Sequence, residues 1–481
     1  MLKKNSFWAT LLTLMLALVL VFTLVACGDN YHYNDDDDDD DDERVEDVDD
    51  TKKPSKKVNP DDPTVDVSIY TADGFEASTL KNQVSWEGIN SFKSTREIAE
   101  LYKTDPTTAI EEARQVAVEF FTYAKTATWI PADNWDFTHH GDGTGPDQMI
   151  GGQVYGGLPY VGLGSGSIYR LLDFMDPNTG VVDIYSAGGT QGTDGMATLQ
   201  LYFGNQCANG AYQGWSRVIN SANYNGTPRM TLANGFIPVG NYTYPTYTTT
   251  WSVDYNTVAV CRENGDQVMW ESYAQLQPGD GLVNFTTAGH VMMVVSEPVV
   301  VRKADGTIDG NQSYLYITDQ HVQFSTYTHP DGGDTCQAAR YVERKFTFAN
   351  LSDEKAGYIP FTYKEWLGED PIEAPEYNIS HSGETITLEQ LFKTKITSNY
   401  HIYDIYASIY NADGVEVAKI ATHSDSASTY ELKFMKAGIT SVIWGDLDKL
   451  DPAKYEYTVK IYMQSGTGDR PILWEGKLAA E

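Results

Sequence analysis

Twenty consecutive uncharged residues, Phe7 to Ala26, are followed a few positions later by eight consecutive aspartates, Asp35 to Asp42. Neither stretch can join the core of a domain in water. The first has no polar face to leave exposed, and the second repels itself and has no apolar area to bury. Whatever folds must therefore come from the residues beyond them, and in a chain of 481 there is room for two or three domains. The 41 glycines and 32 tyrosines lean toward sheets with many turns and away from a helical bundle. Lys and Arg total 34 against 67 Asp and Glu, a formal net charge of −33. That balance excludes nucleic acid as a partner, because gripping phosphates needs a basic footprint. Four cysteines are too few for a disulfide scaffold, so each is read separately.

Lys3 and Lys4 precede the apolar run, which ends in Leu24-Val25-Ala26-Cys27-Gly28. A basic start and an apolar centre are the layout of an export signal, and the last residues resemble a bacterial lipobox. The resemblance implies lipidation of the Cys27 thiol, removal of residues 1–26 and a lipid anchor in the cell membrane. A transmembrane helix is the alternative, since about 20 apolar residues can span a bilayer. On either reading Gly28 onward lies outside the cytoplasm, at the bacterial cell surface. Residues 27–66 carry the aspartates and a Lys/Pro stretch and read as an extended, solvated tether. A calcium site is disfavoured there because no glycine-placed turns break the acidic run. His139-His140 offers no third metal ligand, so neither a metal nor another cofactor is expected.

Residues 67–370 read as a mixed domain. Asp105-Pro106-Thr107 is a helix start, and Ala109, Ala113, Val116, Ala117, Phe120, Phe121 and Ala124 recur on one helical face. Short β-type runs follow at Val258 to Val260, His290 to Val295, Val299 to Val301, Tyr314 to Thr318 and Lys345 to Phe348. Turn signals separate them, which predicts an α+β domain with an antiparallel sheet. Pro371 and Pro375 mark a boundary. Residues 371–481 alternate in strands divided by Gly/Asp turns and predict an all-β immunoglobulin-like sandwich, with Trp444 and Trp474 as core or inter-sheet aromatics.

The stretch from Gly204 to Val218 is the most informative. Ala208, Ala211, Tyr212, Trp215, Val218 and Ile219 fall at helical spacing, so a helix starts at or beside Cys207. A thiol there feels the positive end of the helix dipole, which favours the thiolate that attacks carbonyls. Such a nucleophile needs a base. His290 follows Gly289 and opens an apolar strand. A polar group must then orient the imidazole, and Asp319 or Gln320, at the end of the next strand-like run, can do so if the two strands pair antiparallel. Cys261 and Cys336 read as a disulfide or as buried thiols.

Tyr155-Gly156-Gly157-Leu158-Pro159-Tyr160, the Cys207 helix, Gly279-Asp280 leading into Gly289-His290-Val291, and Gly357-Tyr358-Ile359-Pro360 together resemble the NlpC-like branch of papain-fold cysteine peptidases and amidases. The resemblance spans roughly Ala109 to Tyr363. It implies a papain-like domain in which a helix carrying the cysteine packs on an antiparallel sheet carrying the histidine. It also implies cleavage of amide bonds in cell-wall peptides, with Tyr155, Tyr160 and Gln206 touching substrate. Each of these tyrosines can equally be a packing aromatic. The rival is a catalytically silent surface lipoprotein that binds wall glycan, peptide or protein. The sequence leaves the oligomeric state open.

Overall fold

The structure is a computed structural model. It describes residues 82–132, 135–136, 148–149, 151–158, 166–183, 205–222, 236–243, 256–285, 289–320, 327–328, 335–336, 341–354, 356–424, 429–436 and 441–480. The export signal, Cys27, the acidic tether, the His139-His140 pair and Tyr160 lie outside them.

The first helices are α1 (Trp86–Asn90), α2 (Thr95–Tyr102) and α3 (Pro106–Thr126). The start of α3 follows from its sequence: Pro106 has no N–H to leave unpaired, and the Asp105 side chain accepts from the Thr108 N–H. Its buried face holds all seven apolar residues expected from their spacing. Next come α4 (Ile168–Asp173) and α5 (Cys207–Trp215). Helix α5 lies close to α3 because it presents Gly210 and Gly214 to it. A Cβ on Gly210 would stand 3.1 Å from the Phe121 ring, and one on Gly214 would stand 2.6 Å from the Ala117 carbonyl oxygen.

One six-stranded antiparallel sheet contains β1 (Ile237–Pro238), β2 (Gly281–Phe285), β3 (Gly289–Val294), β4 (Tyr314–Asp319), β5 (Tyr341–Thr347) and β6 (Ile359–Thr362), in the order β5-β4-β3-β2-β6-β1. Val258 to Val260, expected to be extended, lies instead in α6 (Thr257–Asn264). There the Asn256 side chain accepts from the Ala259 N–H, and Gly265, at φ +79°, ends the helix. Cap chemistry outweighs the β-branched preference of two valines.

A second six-stranded sheet holds β7 (Thr385–Ile386), β8 (Ile402–Tyr410), β9 (Glu416–His423), β10 (Ser441–Trp444), β11 (Thr458–Ser465) and β12 (Ile472–Leu478), in the order β7-β12-β11-β8-β9-β10. Among the described residues the other strands form four sheets of two or three strands each.

This overturns the expected fold class. The chain is not a papain-like helix-on-sheet domain followed by an immunoglobulin-like sandwich; it consists mostly of small antiparallel sheets arranged like a four-bladed β-propeller, with few helices. Strand alternation was legible locally, but the division of strands among sheets is set by long-range pairing that periodicity does not encode. The C-terminal strands depart from the immunoglobulin pattern in two further ways. Strand β7 runs parallel to β12. The large sheet also shares a core with the middle of the chain, where Tyr403 and Val442 pack with Phe120, Trp129 and Tyr169. Trp444 and Trp474 are only half-buried, and Ile402, Ile405, Ile409, Ile420 and Ile461 fill the C-terminal core instead.

A buried ionic group joins the two halves. Arg170 of α4 donates through Nε to Asp404 Oδ1 of β8 at 2.8 Å and through Nη2 to the Tyr403 and Ser424 carbonyls. His423 Nδ1 lies 2.5 Å from the same Asp404 oxygen.

Candidate functional site

Helix α5 begins at Cys207, as its apolar spacing requires, with Gln206 as the N-cap and its carbonyl accepting from the Gly210 N–H at 2.8 Å. The helix is held against the first six-stranded sheet at its far end, where Trp215 Nε1 donates to the Gly279 carbonyl at 2.8 Å. Gly279 adopts φ +89°, and a Cβ there would stand 3.0 Å from Trp366, so this turn requires glycine. The neighbouring Asp280 is a structural tie. It accepts from Arg114 of α3 at 2.8 Å and from the Thr362 hydroxyl at 2.5 Å.

His290 sits opposite Asn284 in the β2/β3 ladder, and the Asn284 side chain fixes it there by accepting from the His290 N–H at 2.7 Å. Asn284 Nδ2 in turn donates to the Ala356 carbonyl. Sequence reasoning missed Asn284. A polar residue in an otherwise apolar strand, directly ahead of the Gly-His turn, was the available signal.

Register decides between Asp319 and Gln320. Asp319 of β4 pairs with Met292 of β3, and Met292 shares a face with His290 because side chains alternate every two residues. Asp319 therefore reaches His290 diagonally, and its Oδ2 lies 2.7 Å from Nε2. Gln320 points elsewhere and donates to the Leu158 carbonyl at 2.8 Å, so it ties the sheet to the loop that carries Leu158. With Nε2 engaged by the carboxylate, Nδ1 is the ring nitrogen available to the Cys207 thiol, which is also a hydrogen-bonding and electrostatic neighbour of this imidazole.

Burial disfavours a charged His290 ring, but the hydrogen bond to Asp319 and the Cys207 sulfur outweigh it and raise the imidazole from 6.5 to about 10. The ring is thus protonated across neutral pH. Cys207 has no exposed surface, and its Sγ lies 3.8 Å from the Gly289 carbonyl oxygen, while the His290 side chain is 16% exposed. The imidazole is the outer member of the pair and the sulfur the inner one.

The remaining expected residues divide. Gln206 is half-buried at the mouth of α5. Tyr155 is a core aromatic, 2% exposed and packed on Trp129 with ring centroids 6.0 Å apart. Cys261 is a free, buried thiol that donates to the Tyr358 carbonyl, and burial raises it to about 12. It is not part of a disulfide. Among the described residues no cluster of three His, Cys, Asp or Glu side chains is placed to hold a metal ion.

The histidines impose opposite pH dependences on stability. Burial, with the Arg170 charge adding to it, pushes His401 down to about 3, and burial likewise lowers His423. Below about 6.5 the unfolded chain takes up protons that these folded rings refuse, so stability falls toward acid at about 1.4 kcal/mol per pH unit for each such group. His290, raised to about 10, does the reverse: its contribution is complete below about 6.5 and is lost as pH rises toward 10. Unfolding free energy is therefore expected to peak near pH 6.5, and His290→Gln should flatten the alkaline limb. Denaturant titrations at pH 5, 6.5 and 8.5 check this, and parallel curves for variant and parent above pH 6.5 would refute it. No family model, curated protein or solved structure matches this chain, so the chemistry of the site is read from its own geometry.

Proposed function

We propose that this chain is a membrane-anchored, extracytoplasmic cysteine hydrolase that cleaves peptide or amide bonds, with peptides of the cell wall as its substrate class. The observation that supports the reading is an imidazole held by a buried carboxylate beside a cysteine at a helix N-terminus. In the reaction the Cys207 sulfur attacks the scissile carbonyl carbon, and backbone N–H groups at the start of α5 stabilise the oxyanion that forms. His290 gives its proton to the leaving amine as the C–N bond breaks, which leaves a thioester. A water then attacks the thioester, His290 takes the water's proton, and the sulfur departs from a carboxylate product. Asp319 keeps the ring aligned and stabilises its charged form.

The full burial of Cys207 favours a second reading, in which the thiol is a packed core group and the chain binds wall peptide or glycan without cutting it. Alkylation with iodoacetamide separates the two. For a hydrolase, the Cys207 adduct forms rapidly at pH 7 while Cys261, held as a thiol to about 12, stays unlabelled in the folded chain. Wall peptides incubated with the same protein then release new amines. Labelling of Cys207 no faster than Cys261, with no amine released, overturns the proposal and leaves the binding protein.

A further inference from the structure

A second site lies at the other end of helix α5. A cavity of about 600 Å3 is lined by Trp86, Leu172, Asp173, Lys419, Asp469 and Arg470, with Asn90 and Gly468 at its edge. It is joined to α5 through Arg217, whose guanidinium fills the space a Gly468 side chain would need and donates to the Ile89 carbonyl at 3.0 Å. The nine-residue helix separates it from Cys207 by roughly 13 Å along the axis.

The cavity is rich in unused donors. Arg470 is stacked on Trp86, Tyr406 and Tyr462 at 4.8 to 4.9 Å, so its faces are covered and only its N–H edge remains. One donor on that edge, Nη2, bonds Asp173 Oδ1 at 2.8 Å, and its guanidinium makes no other hydrogen bond among the described residues. Lys419 Nζ stands 3.6 Å from Asp173, beyond hydrogen-bond reach, and finds no acceptor among the described residues; it rests near the Tyr406 and Trp444 rings. Both oxygens of Asp173 are already engaged, since the Tyr406 hydroxyl donates to Oδ2. Asp469 accepts from the Tyr377 hydroxyl at 2.7 Å and lies 3.6 Å from Arg96 Nε. Arg470 and Lys419 face the buried Asp173 while Arg96 pairs with Asp469, so three cations against two carboxylates leave a surplus of a single positive charge, in a chain whose net charge is −33.

From this geometry we infer that the cavity between Arg470 and Lys419 is a binding site for a monocarboxylate, carried on a short peptide C-terminus or on an acidic sugar. A planar carboxylate matches the forward edge of a guanidinium held flat by its neighbours, with the Lys419 ammonium completing the contact. A dianionic phosphate monoester would overshoot the surplus charge and face the Asp173 and Asp469 carboxylates. The inference does not depend on the hydrolase reading, because no residue of the Cys207 site lines the cavity.

The test is calorimetric titration of the full chain carrying Cys207→Ala, which removes turnover from the readout. The probes are N-acetyl-alanyl-alanine, its C-terminal amide, glucuronate, glucuronamide and inorganic phosphate. A free acid is expected to bind saturably and its amide at least roughly tenfold more weakly, and Lys419→Met should weaken the acid by a similar factor. Whichever acid binds tighter identifies the source of the carboxylate. Equal affinity of acid and amide, no binding of either acid up to about 10 mM, tighter binding of phosphate than of both acids, or an unchanged affinity in folded Lys419→Met would each overturn the inference. Should Lys419→Met fail to fold, the acid-against-amide comparison in the parent chain decides alone.

Discussion

The Cys207→Ala chain is expected to lose peptide hydrolysis by roughly a thousandfold or more while unfolding at nearly the same temperature as the parent. The two readouts separate because the sulfur's contacts to the Gly289 carbonyl and the His290 ring do not anchor the helix, whereas α5 is held through Trp215, Gly210 and Gly214. His290→Gln should match that loss, since a nucleophile and its base act as one unit and their removals do not add. Asp319→Asn leaves a polar group at 2.7 Å from Nε2 but withdraws the charge that helps hold the imidazole near 10. Its alkaline activity limb should therefore move to lower pH, whereas Gln320→Ala, which frees only the Leu158 carbonyl, should leave that limb in place. Release of amine from wall peptides, followed between pH 6 and 11, measures all four variants. Substantial activity in Cys207→Ala would sink the reading.

What the sequence disclosed about this site was its local part. The helix beginning at Cys207 was legible because Ala208, Ala211, Tyr212 and Trp215 repeat at helical spacing, and the strand after Gly289 because its apolar run is bounded by a turn. That Asp319 and not Gln320 meets the imidazole was not legible, because neighbouring strand residues face opposite ways and only the pairing of Asp319 with Met292 fixes which one. Tyr155 was read as a substrate contact because an aromatic beside two glycines looks the same in a loop and in a core; its neighbour Trp129 lies 26 positions away in the chain. The fold class failed for a related reason. The longer C-terminal strands were visible, but Thr385–Ile386 and Ser441–Trp444 were not, and the parallel β7/β12 pair and the Arg170–Asp404 join are contacts between distant segments that no local pattern announces.

That join carries the largest stability prediction. Arg170→Met is expected to cost about 3–5 kcal/mol at pH 8, because it leaves the Asp404 carboxylate buried without its guanidinium partner and removes the guanidinium bonds to the Tyr403 and Ser424 carbonyls. The loss should shrink toward acid. Arg170 is one of the charges that hold His401 and His423 neutral, and once it is gone His423, 2.5 Å from Asp404, can accept a proton and take over as the counter-charge. A histidine whose folded pKa rises toward or above its unfolded value no longer destabilises the chain as pH falls, so the acid limb of the stability curve should flatten in the variant. Chemical denaturation of parent and variant at pH 8 and pH 5.5 tests both parts. A cost below about 1 kcal/mol at pH 8 would mean that water or protonation relieves Asp404 and that the join is not structural, and a cost that grows toward acid would mean that His423 does not stand in for the missing guanidinium.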